Sequence, residues 1–290
     1  MKLLAALLLT FASLLSLGQQ PPSAIVADPP EDKANPARME AFVLPSHGAN
    51  LNAILYTAEG PGPHPNVILL HGFPGNEKNL DLAQSIRRAG WNVLFFNYRG
   101  SWGSPGTFSF NNSIEDTLAA IDFLRDPANA KKYGGDPTKI VLIGHSMGGF
   151  MASAAGARDS KVVAIGMIAA WNIGADAKRS AKDPVRRKKD LADDMHPLAG
   201  CTPDSLFAEM TAHASDWDYN TFVPQLKNRP VLVISTNDGL RPANESFVDA
   251  MKTAGAKQVE YQHIPTDHGF NDHRIALQSA VLEWLQRLTP

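Results

Sequence analysis

The sequence predicts an α/β fold in which helices cover both faces of a mostly parallel sheet and a helical cap is inserted late in the chain. Three observations support this prediction. From residue 67 onwards, short apolar runs alternate with helical segments, which is typical of parallel sheets. Residues 171–222 contain no convincing strand and far exceed an ordinary connection. A glycine-framed serine, Ser146, follows one apolar run at a strand-to-helix turn.

Composition narrows the class of protein. The chain has 290 residues, enough to bury a substantial core within one domain. Its 27 basic and 29 acidic residues nearly cancel, so charge gives no indication of a nucleic acid or an anionic membrane as partner. The single cysteine, Cys201, allows no intrachain disulfide. We expect it to be a structural or incidental thiol.

The first residues have the pattern of a secretory signal peptide. Lys2 precedes an apolar run over residues 3–17, which is shorter than the roughly 20 residues that span a bilayer. We expect residues 1–18 to be removed, with cleavage after Ala27 and a retained anchor as alternatives. The protein is then secreted or periplasmic and has no membrane span after cleavage. Residues 19–38, rich in Pro, Ala and Asp, are predicted to be a disordered linker.

The folded domain is predicted to occupy residues 39–290. Extended segments at 39–44 and 51–57 flank a turn-rich stretch and should pair as an antiparallel hairpin at one sheet edge. Strands are predicted at residues 67–70, 91–97, 140–143, 162–168, 231–235 and 259–264. Helices are predicted at residues 79–89, from an N-terminal cap at Ser113 to about 125, and at 150–157. The cap insertion is predicted at about residues 171–222.

Ser146 needs two partners before it can act as a nucleophile. A serine hydroxyl is a poor nucleophile at its free pKa, so it requires a base, and the base requires an orienting acid. Both are expected on loops at the carboxyl ends of later strands. Asp238 follows the strand predicted at 231–235, and His268 follows the strand at 259–264. We therefore predict Ser146, Asp238 and His268 as the catalytic residues.

Other residues of the same types leave alternatives open. Asp216 and Asp218, at the end of the cap, are alternative acids, and His273, at the start of a helix, competes with His268 as the base. His263 lies within a predicted strand and is expected to be a packed or edge histidine.

Two backbone N–H groups are expected to stabilise the oxyanion of acyl transfer. Met147 follows the nucleophile at the start of a helix and supplies one of them. The second is expected from the loop over residues 71–75. Pro74 has no N–H, so Phe73 is the natural donor. His71 is expected to bond to nearby loop backbone rather than to act as a second base or a metal ligand, and no metal or cofactor is predicted.

Two further segments supply candidates for substrate contacts. In the Gly- and aromatic-rich loop at residues 99–110, Trp102 and Phe108 are candidates to line an acyl or alcohol pocket, with buried loop packing as the alternative. Basic residues at 178–179 and 186–189 in the cap would attract an anionic substrate, although a solvated helix face is the favoured interpretation.

Taken together, the motifs resemble those of a known superfamily from about Met39 to the end of the chain. They are His71-Gly72-Phe73-Pro74-Gly75, Tyr98-Arg99-Gly100 and Gly144-His145-Ser146-Met147-Gly148-Gly149. They are similar to the α/β-hydrolase superfamily, in its dienelactone hydrolase-like and serine aminopeptidase-like esterase branches. The chain order Ser, Asp, His is also the order of α/β-hydrolases.

This resemblance implies a function and a role for each candidate residue. It implies Ser146 as nucleophile, Asp238 as acid and His268 as base, with Phe73 and Met147 as oxyanion donors. Epoxide hydrolases share the His-Gly-Phe-Pro piece but carry aspartate at the elbow, and dienelactone hydrolases proper use cysteine. We expect a cofactor-independent serine hydrolase that cleaves a small-molecule carboxylic ester through an acyl-enzyme. A peptidase for short peptides and a non-catalytic binding protein on the same fold are the alternatives.

Overall fold

In the computed structural model, which describes residues 20–288, an eight-stranded sheet forms the centre of the protein. The strands are β1 (Arg38–Ser46), β2 (Ala49–Thr57), β3 (His64–Leu70), β4 (Asn92–Phe96), β5 (Gly135–His145), β6 (Ala164–Ile168), β7 (Val231–Ser235) and β8 (Val259–His263). Their order is β1-β2-β4-β3-β5-β6-β7-β8. The hairpin of β1 and β2 forms one edge, where β2 pairs antiparallel with both β1 and β4. The six strands β3 to β8 are parallel to one another. The predicted fold class is confirmed.

Helices connect and cover the strands. They are α1 (Ser23–Val26), α2 (Leu80–Arg88), α3 (Phe110–Arg125), α4 (Pro127–Tyr133), α5 (Met147–Arg158), α6 (Ile173–Ser180), α7 (Pro184–Asp194), α8 (Pro203–Ala212), α9 (Val223–Leu226), α10 (Arg241–Thr253) and α11 (Arg274–Leu288). A 3-10 turn, Tyr219–Phe222, precedes α9. In the described range of 20–288, no helix is long and apolar enough to cross a membrane. The signal peptide predicted at residues 1–18 lies outside the described residues.

Each face of the sheet has its own apolar core. Successive side chains of a strand point to opposite faces, so along β5 Leu142 joins one core while Val141 and Ile143 join the other. The first core is closed by α3, α5 and the cap, and the second by α2 and α11. Because both faces are covered, the central strands contain continuous apolar runs, such as residues 140–143 of β5, rather than an alternating pattern.

The interval between β6 and β7 is the cap. It contains α6, α7, α8, the 3-10 turn and α9, and its described residues form no named strand. Several apolar side chains of this interval, including Leu191, Leu206 and Trp217, are buried in the first core. The cap is therefore packed onto the carboxyl edge of the sheet as part of the domain.

Two local predictions differ from the structure. Helix α3 begins at Phe110, one turn before the predicted cap at Ser113. The capping residue is Ser109, whose Oγ accepts a hydrogen bond from the Asn112 N–H at 3.0 Å. Ser113 lies inside the helix and donates its hydroxyl to the Ser109 carbonyl at 2.9 Å. Because serine has the same capping preference at either position, the pattern did not distinguish them.

The other difference concerns the segment predicted as a disordered linker, residues 19–38. Ser23–Val26 forms α1 there, and Arg88 Nε donates to the Ala24 carbonyl at 2.6 Å. Ala24 and Ile25 pack against the second core. This part of the segment is ordered because it covers apolar surface beside α2 and α11.

A buried carboxylate joins the edge hairpin to the loop that follows β4. Asp116 on α3 is inaccessible to solvent and accepts hydrogen bonds from Ser46 Oγ at 2.6 Å, Arg99 N–H at 2.8 Å and Arg99 Nε–H at 2.7 Å. Arg99 also pairs with Glu115 at 2.6 Å, but that glutamate is more than one-third exposed. The two carboxylates therefore bind the same guanidinium in different surroundings.

We expect Asp116→Ala to lower the free energy of unfolding by about 3–5 kcal/mol, because it leaves the nearly buried Arg99 charge without its main partner. Glu115→Gln, the matched control, should change it by about 0–1 kcal/mol because water screens that pair. Urea unfolding followed by tryptophan fluorescence measures both. Equal losses in the two variants would show that burial does not distinguish the pairs.

Candidate active site

Ser146 lies in the tight turn between β5 and α5. Its backbone angles, φ 57° and ψ −120°, fall in a region that residues other than glycine rarely adopt. The Ser146 N–H donates to the Ile168 carbonyl at 2.9 Å, and its carbonyl accepts from the Trp171 N–H at 3.0 Å. Both backbone polar groups of the serine are therefore held by the end of β6 and the residues after it. This is the geometry of a nucleophile elbow.

The glycines around Ser146 permit a close approach of backbone segments. A Cβ on Gly144 would lie 1.9 Å from the Gly148 carbonyl oxygen, and one on Gly148 would lie 2.1 Å from the Leu70 carbonyl oxygen. Contacts this short with backbone atoms cannot be relieved by a rotamer change. The elbow therefore requires glycine at both positions.

The predicted acid and base are in contact. Asp238 Oδ2 lies 2.6 Å from His268 Nδ1, and Asp238 Oδ1 accepts from the Leu240 N–H at 2.9 Å. Burial raises the pKa of Asp238, but the hydrogen bond and charge of His268, together with hydrogen bonds from Thr236 and the Leu240 N–H, hold that pKa below its ordinary value. Asp238 is thus ionised at neutral pH and fixes the orientation of the imidazole.

A second histidine supports the loop that carries His268. His145 is buried beside the elbow, and its Nε2–H donates to the His268 carbonyl at 2.8 Å. Burial, followed by the nearby His268, lowers the pKa of His145 to about 3. His145 is therefore uncharged at neutral pH, and it ties the elbow directly to the loop of the predicted base.

The two predicted oxyanion donors flank the serine. Met147 is the first residue of α5, so its N–H has no partner within the helix. The loop after β3 approaches from the other side, where a Cβ on Gly72 would lie 3.5 Å from Ser146 Oγ. Among residues 20–288, the Phe73 N–H has no hydrogen-bond acceptor.

His71 orients the peptide that contains the Phe73 N–H. Its Nδ1–H donates to the Gly72 carbonyl at 2.8 Å, and that carbonyl belongs to the same planar peptide as the Phe73 N–H. Burial lowers the pKa of His71 to about 4, so the ring is neutral. The bond to loop backbone is the one that the sequence indicated for His71.

Ser146, His268 and Phe73 open onto one cavity of about 580 Å³. Leu240 also lines it, and the cap supplies the remaining lining residues, which are Trp171, Asp176, Arg179, Ser180, Asp183, Arg186, Arg187, Asp190 and Asp194. The wall formed by the cap is therefore mostly charged.

The candidate pocket residues Trp102 and Phe108 do not line this cavity. Phe108 is buried with its ring centroid 5.8 Å from that of Phe73. Trp102 Nε1 donates to the Pro74 carbonyl at 2.7 Å. Both side chains pack against the loop at residues 71–75, which corresponds to the loop-packing alternative and differs from the predicted substrate contacts.

Three of the alternative acids and bases have other partners. Asp218 accepts from Asn172 Nδ2 at 2.9 Å. His263 Nδ1 lies 3.0 Å from Ser235 Oγ at the edge of the sheet, and His273 pairs with Asp272 at 2.9 Å. Of the residues considered for these roles, Asp238 and His268 are the pair in contact beside Ser146.

The sequence did not predict most of the cap residues that line the cavity. It favoured a solvated face for the basic residues of α7, whereas Arg186 and Arg187 line the cavity. The spacing of Asp183, Arg186, Asp190 and Asp194 places them on one face of α7. That spacing was a detectable signal, but it did not reveal which way the face points.

A serine elbow at the carboxyl edge of a mostly parallel sheet, beneath a helical cap, defines a protein of the α/β-hydrolase type. The chain belongs to the alpha/beta hydrolase family, whose sequence model matches residues 67–277. Structural similarity agrees with this at the level of the fold. A Pyrobaculum calidifontis esterase superposes with a TM-score of 0.67 at 20% identity, covering 88% of this chain and 87% of that one. Est1E from Butyrivibrio proteoclasticus, with ferulic acid bound, gives 0.67 at 20% identity, with 85% and 98% covered.

Sequence relatives match shorter segments. The uncharacterized protein YfhR of Salmonella typhimurium is 36% identical over 84 residues, covering 29% of this chain and 27% of that protein. Acylamino-acid-releasing enzyme 1 of Oryza sativa subsp. japonica is 30% identical over 119 residues, covering 37% of this chain and 15% of that protein. The chain thus spans about a quarter or less of the length of these two relatives.

We expect Gly144→Ala to lower the free energy of unfolding by about 2 kcal/mol or more, because the added methyl group meets a backbone carbonyl. Gly239→Ala is the matched control: it adds the same methyl group beside Asp238, where no atom lies within 4 Å, and should change stability by less than about 0.5 kcal/mol. Thermal and urea unfolding of both variants test this. A stable Gly144→Ala variant would contradict the packing argument.

Proposed function

We propose that the protein is a secreted serine hydrolase that cleaves carboxylic esters. The observation that carries the proposal is the 2.6 Å contact of Asp238 with His268, on a cavity that His268 shares with Ser146. The proposal that the protein is secreted rests on the sequence pattern of residues 1–18 alone. A protease-accessible location in the periplasm or medium, with the mature N-terminus beyond residue 18, would be its test.

In the proposed cycle, Ser146 Oγ attacks the ester carbonyl while His268 takes its proton. Asp238 keeps the imidazole oriented and stabilises the imidazolium that forms. The oxyanion lies between the N–H groups of Met147 and Phe73. The tetrahedral intermediate then expels the alcohol, which receives the proton from His268, and an acyl-enzyme remains. Water, activated by His268, attacks the acyl-enzyme and releases the acid.

Similar proteins support ester hydrolysis as the first reaction to test. Two of the solved structures that share the fold are esterases by name. His71 and His145 are neutral, and each uses a ring nitrogen to bond a backbone carbonyl rather than a substrate. This leaves His268 as the base beside the serine. An ordinary acyl-transfer triad requires no further titratable group.

A peptidase for short peptides is a second candidate, and the charged wall is the observation that favours it. Asp183, Asp190 and Asp194 line the cavity, and carboxylates of this kind would bind the amine of a peptide. An acylaminoacyl peptidase from Pyrococcus horikoshii shares the fold, with a TM-score of 0.63 at 17% identity, covering 86% of this chain and 41% of that one. Matched ester and aminoacyl-amide substrates, compared by kcat/KM, distinguish the two candidates.

We expect Ser146→Ala and Asp238→Asn to lower kcat/KM for short-chain p-nitrophenyl esters by roughly 10³- to 10⁴-fold, because one removes the nucleophile and the other the charge that orients the base. Asp267→Asn is the control. Asp267 is adjacent to His268 in the chain but binds Asn271, so its variant should stay within about threefold of wild type.

A fluorophosphonate probe checks the same assignment by covalent labelling of the serine. It should label the wild type and fail on Ser146→Ala. Full esterase activity in Ser146→Ala would overturn the proposal. A folded wild type that neither hydrolyses esters or amides nor reacts with the probe would instead support a non-catalytic binding protein.

A further inference from the structure

An ion-pair cluster in the cap forms part of the cavity wall. Asp176 is its centre. Arg187 Nη2 lies 2.9 Å from Asp176 Oδ2, and Arg179 Nη2 lies 2.7 Å from Oδ1. Trp171 Nε1 and Ser180 Oγ donate to the same carboxylate at 3.0 Å each. All five residues line the cavity, and we call them the Asp176 cluster.

The Asp176 cluster carries a net positive charge. Two guanidinium groups share one carboxylate, which leaves +1. Each oxygen of Asp176 already has two donors beside it, so the carboxylate has little capacity left to bind a cation from a substrate. Its role within the cluster is to hold the arginines.

Arg187 has unused donors in this cluster. Its side chain is 19% exposed, and its guanidinium carbon lies 5.0 Å from the centre of the Trp171 ring. Nη2 faces Asp176, but Nε is shielded from solvent and has no acceptor among residues 20–288. Nη1 also has no acceptor among residues 20–288 and, unlike Nε, is not shielded, so a ligand oxygen in the cavity can bind it.

The other charges of the wall are more strongly screened. Five other charged residues line the same cavity but are exposed, so water weakens their interactions with a bound molecule: Arg179, Asp183, Arg186, Asp190 and Asp194. Arg187 is less exposed and is adjacent to the reaction site through Trp171, whose backbone N–H donates to the Ser146 carbonyl at 3.0 Å. Arg187 is therefore the least exposed cation of the cavity wall.

From this geometry we propose that the enzyme selects esters that carry a carboxylate, and that Arg187 binds this carboxylate. Arg187 Nη1 supplies a charge-assisted hydrogen bond to one carboxylate oxygen, and the contacts of the guanidinium with Asp176 and the Trp171 ring hold it in place. The carboxylate belongs either to the acyl part, as in a dicarboxylic acid monoester, or to the alcohol part, as in an ester of a hydroxy acid. The inference rests on the proposed function, because it takes Ser146 as the point of reaction.

The test compares charged and neutral esters of similar size by titrating the acid released at constant pH. Monoethyl glutarate is compared with ethyl valerate for the acyl side, and butyryloxyacetate with propyl butyrate for the alcohol side. For at least one pair we expect wild-type kcat/KM to be about tenfold or more higher for the charged ester. Arg187→Gln should lower kcat/KM for that ester by roughly 10- to 100-fold and leave its neutral counterpart within about threefold.

Arg186→Gln is the matched control, since it removes the neighbouring charge of the same helix and should preserve the preference. Hydrolysis of the neutral esters reports whether each variant is folded. A measurement on the wild type alone covers the case in which Arg187→Gln does not fold: glutarate should inhibit ethyl valerate hydrolysis more strongly than glutaramide.

Three results overturn the inference while leaving the proposed function intact. They are equal kcat/KM for charged and neutral esters, a preference for the cationic ethyl 4-(trimethylammonio)butyrate, and an unchanged preference in a folded Arg187→Gln variant. A wild type that hydrolyses none of these esters and takes up no fluorophosphonate contradicts the proposed function itself.

Discussion

The close approach of three backbone segments around Ser146 is the constraint on which the site depends. The end of β3, the end of β5 and the first turn of α5 meet where a single added methyl group on Gly144 or Gly148 would overlap a carbonyl oxygen. This packing holds Ser146 at an unfavourable positive φ. Hydrogen bonds to the neighbouring strand maintain this strained conformation, because the Ser146 N–H is bonded to the end of β6 and its carbonyl to Trp171.

The same constraint explains how distant parts of the chain reach the serine. Parallel strands end at one edge of the sheet, so the loops after β3, β7 and β8 all arrive beside the elbow. Neutral histidines then fix two of those loops by bonding their carbonyls: His71 holds the peptide of Phe73, and His145 holds the loop of His268. Their burial lowers both pKa values to about 4 and 3, which keeps these bonds independent of pH near neutrality.

Sequence reasoning predicted what depends on local chemistry and topology. The alternation of strands and helices gave the fold class, and the glycines around Ser146 have a steric reason that is visible in the motif itself. The contact of Asp238 with His268 followed from the edge at which parallel strands end. The helix start at Ser109 was missed because two serines in one turn have equal capping preference. Tertiary contacts decide between them, since Phe110 packs in the first core and Glu209 accepts from the N–H groups of Phe110 and Asn111.

The cavity wall was beyond sequence reasoning for a different physical reason. A charged helix face has the same residue pattern whether it faces bulk water or a cavity, since both environments are polar. Arg187 differs from its exposed neighbour Arg186 through contacts with Trp171, in the loop after β6, and with Asp176, on α6. The elbow determines the reaction that such a fold can perform, but the direction of α7 determines which charges meet the substrate. Leu191, the buried residue of α7, packs into the first core and contributes to that direction together with the Arg187–Asp176 ion pair. Substrate preference in this protein therefore depends on the packing of a helix whose charged side chains form the cavity wall.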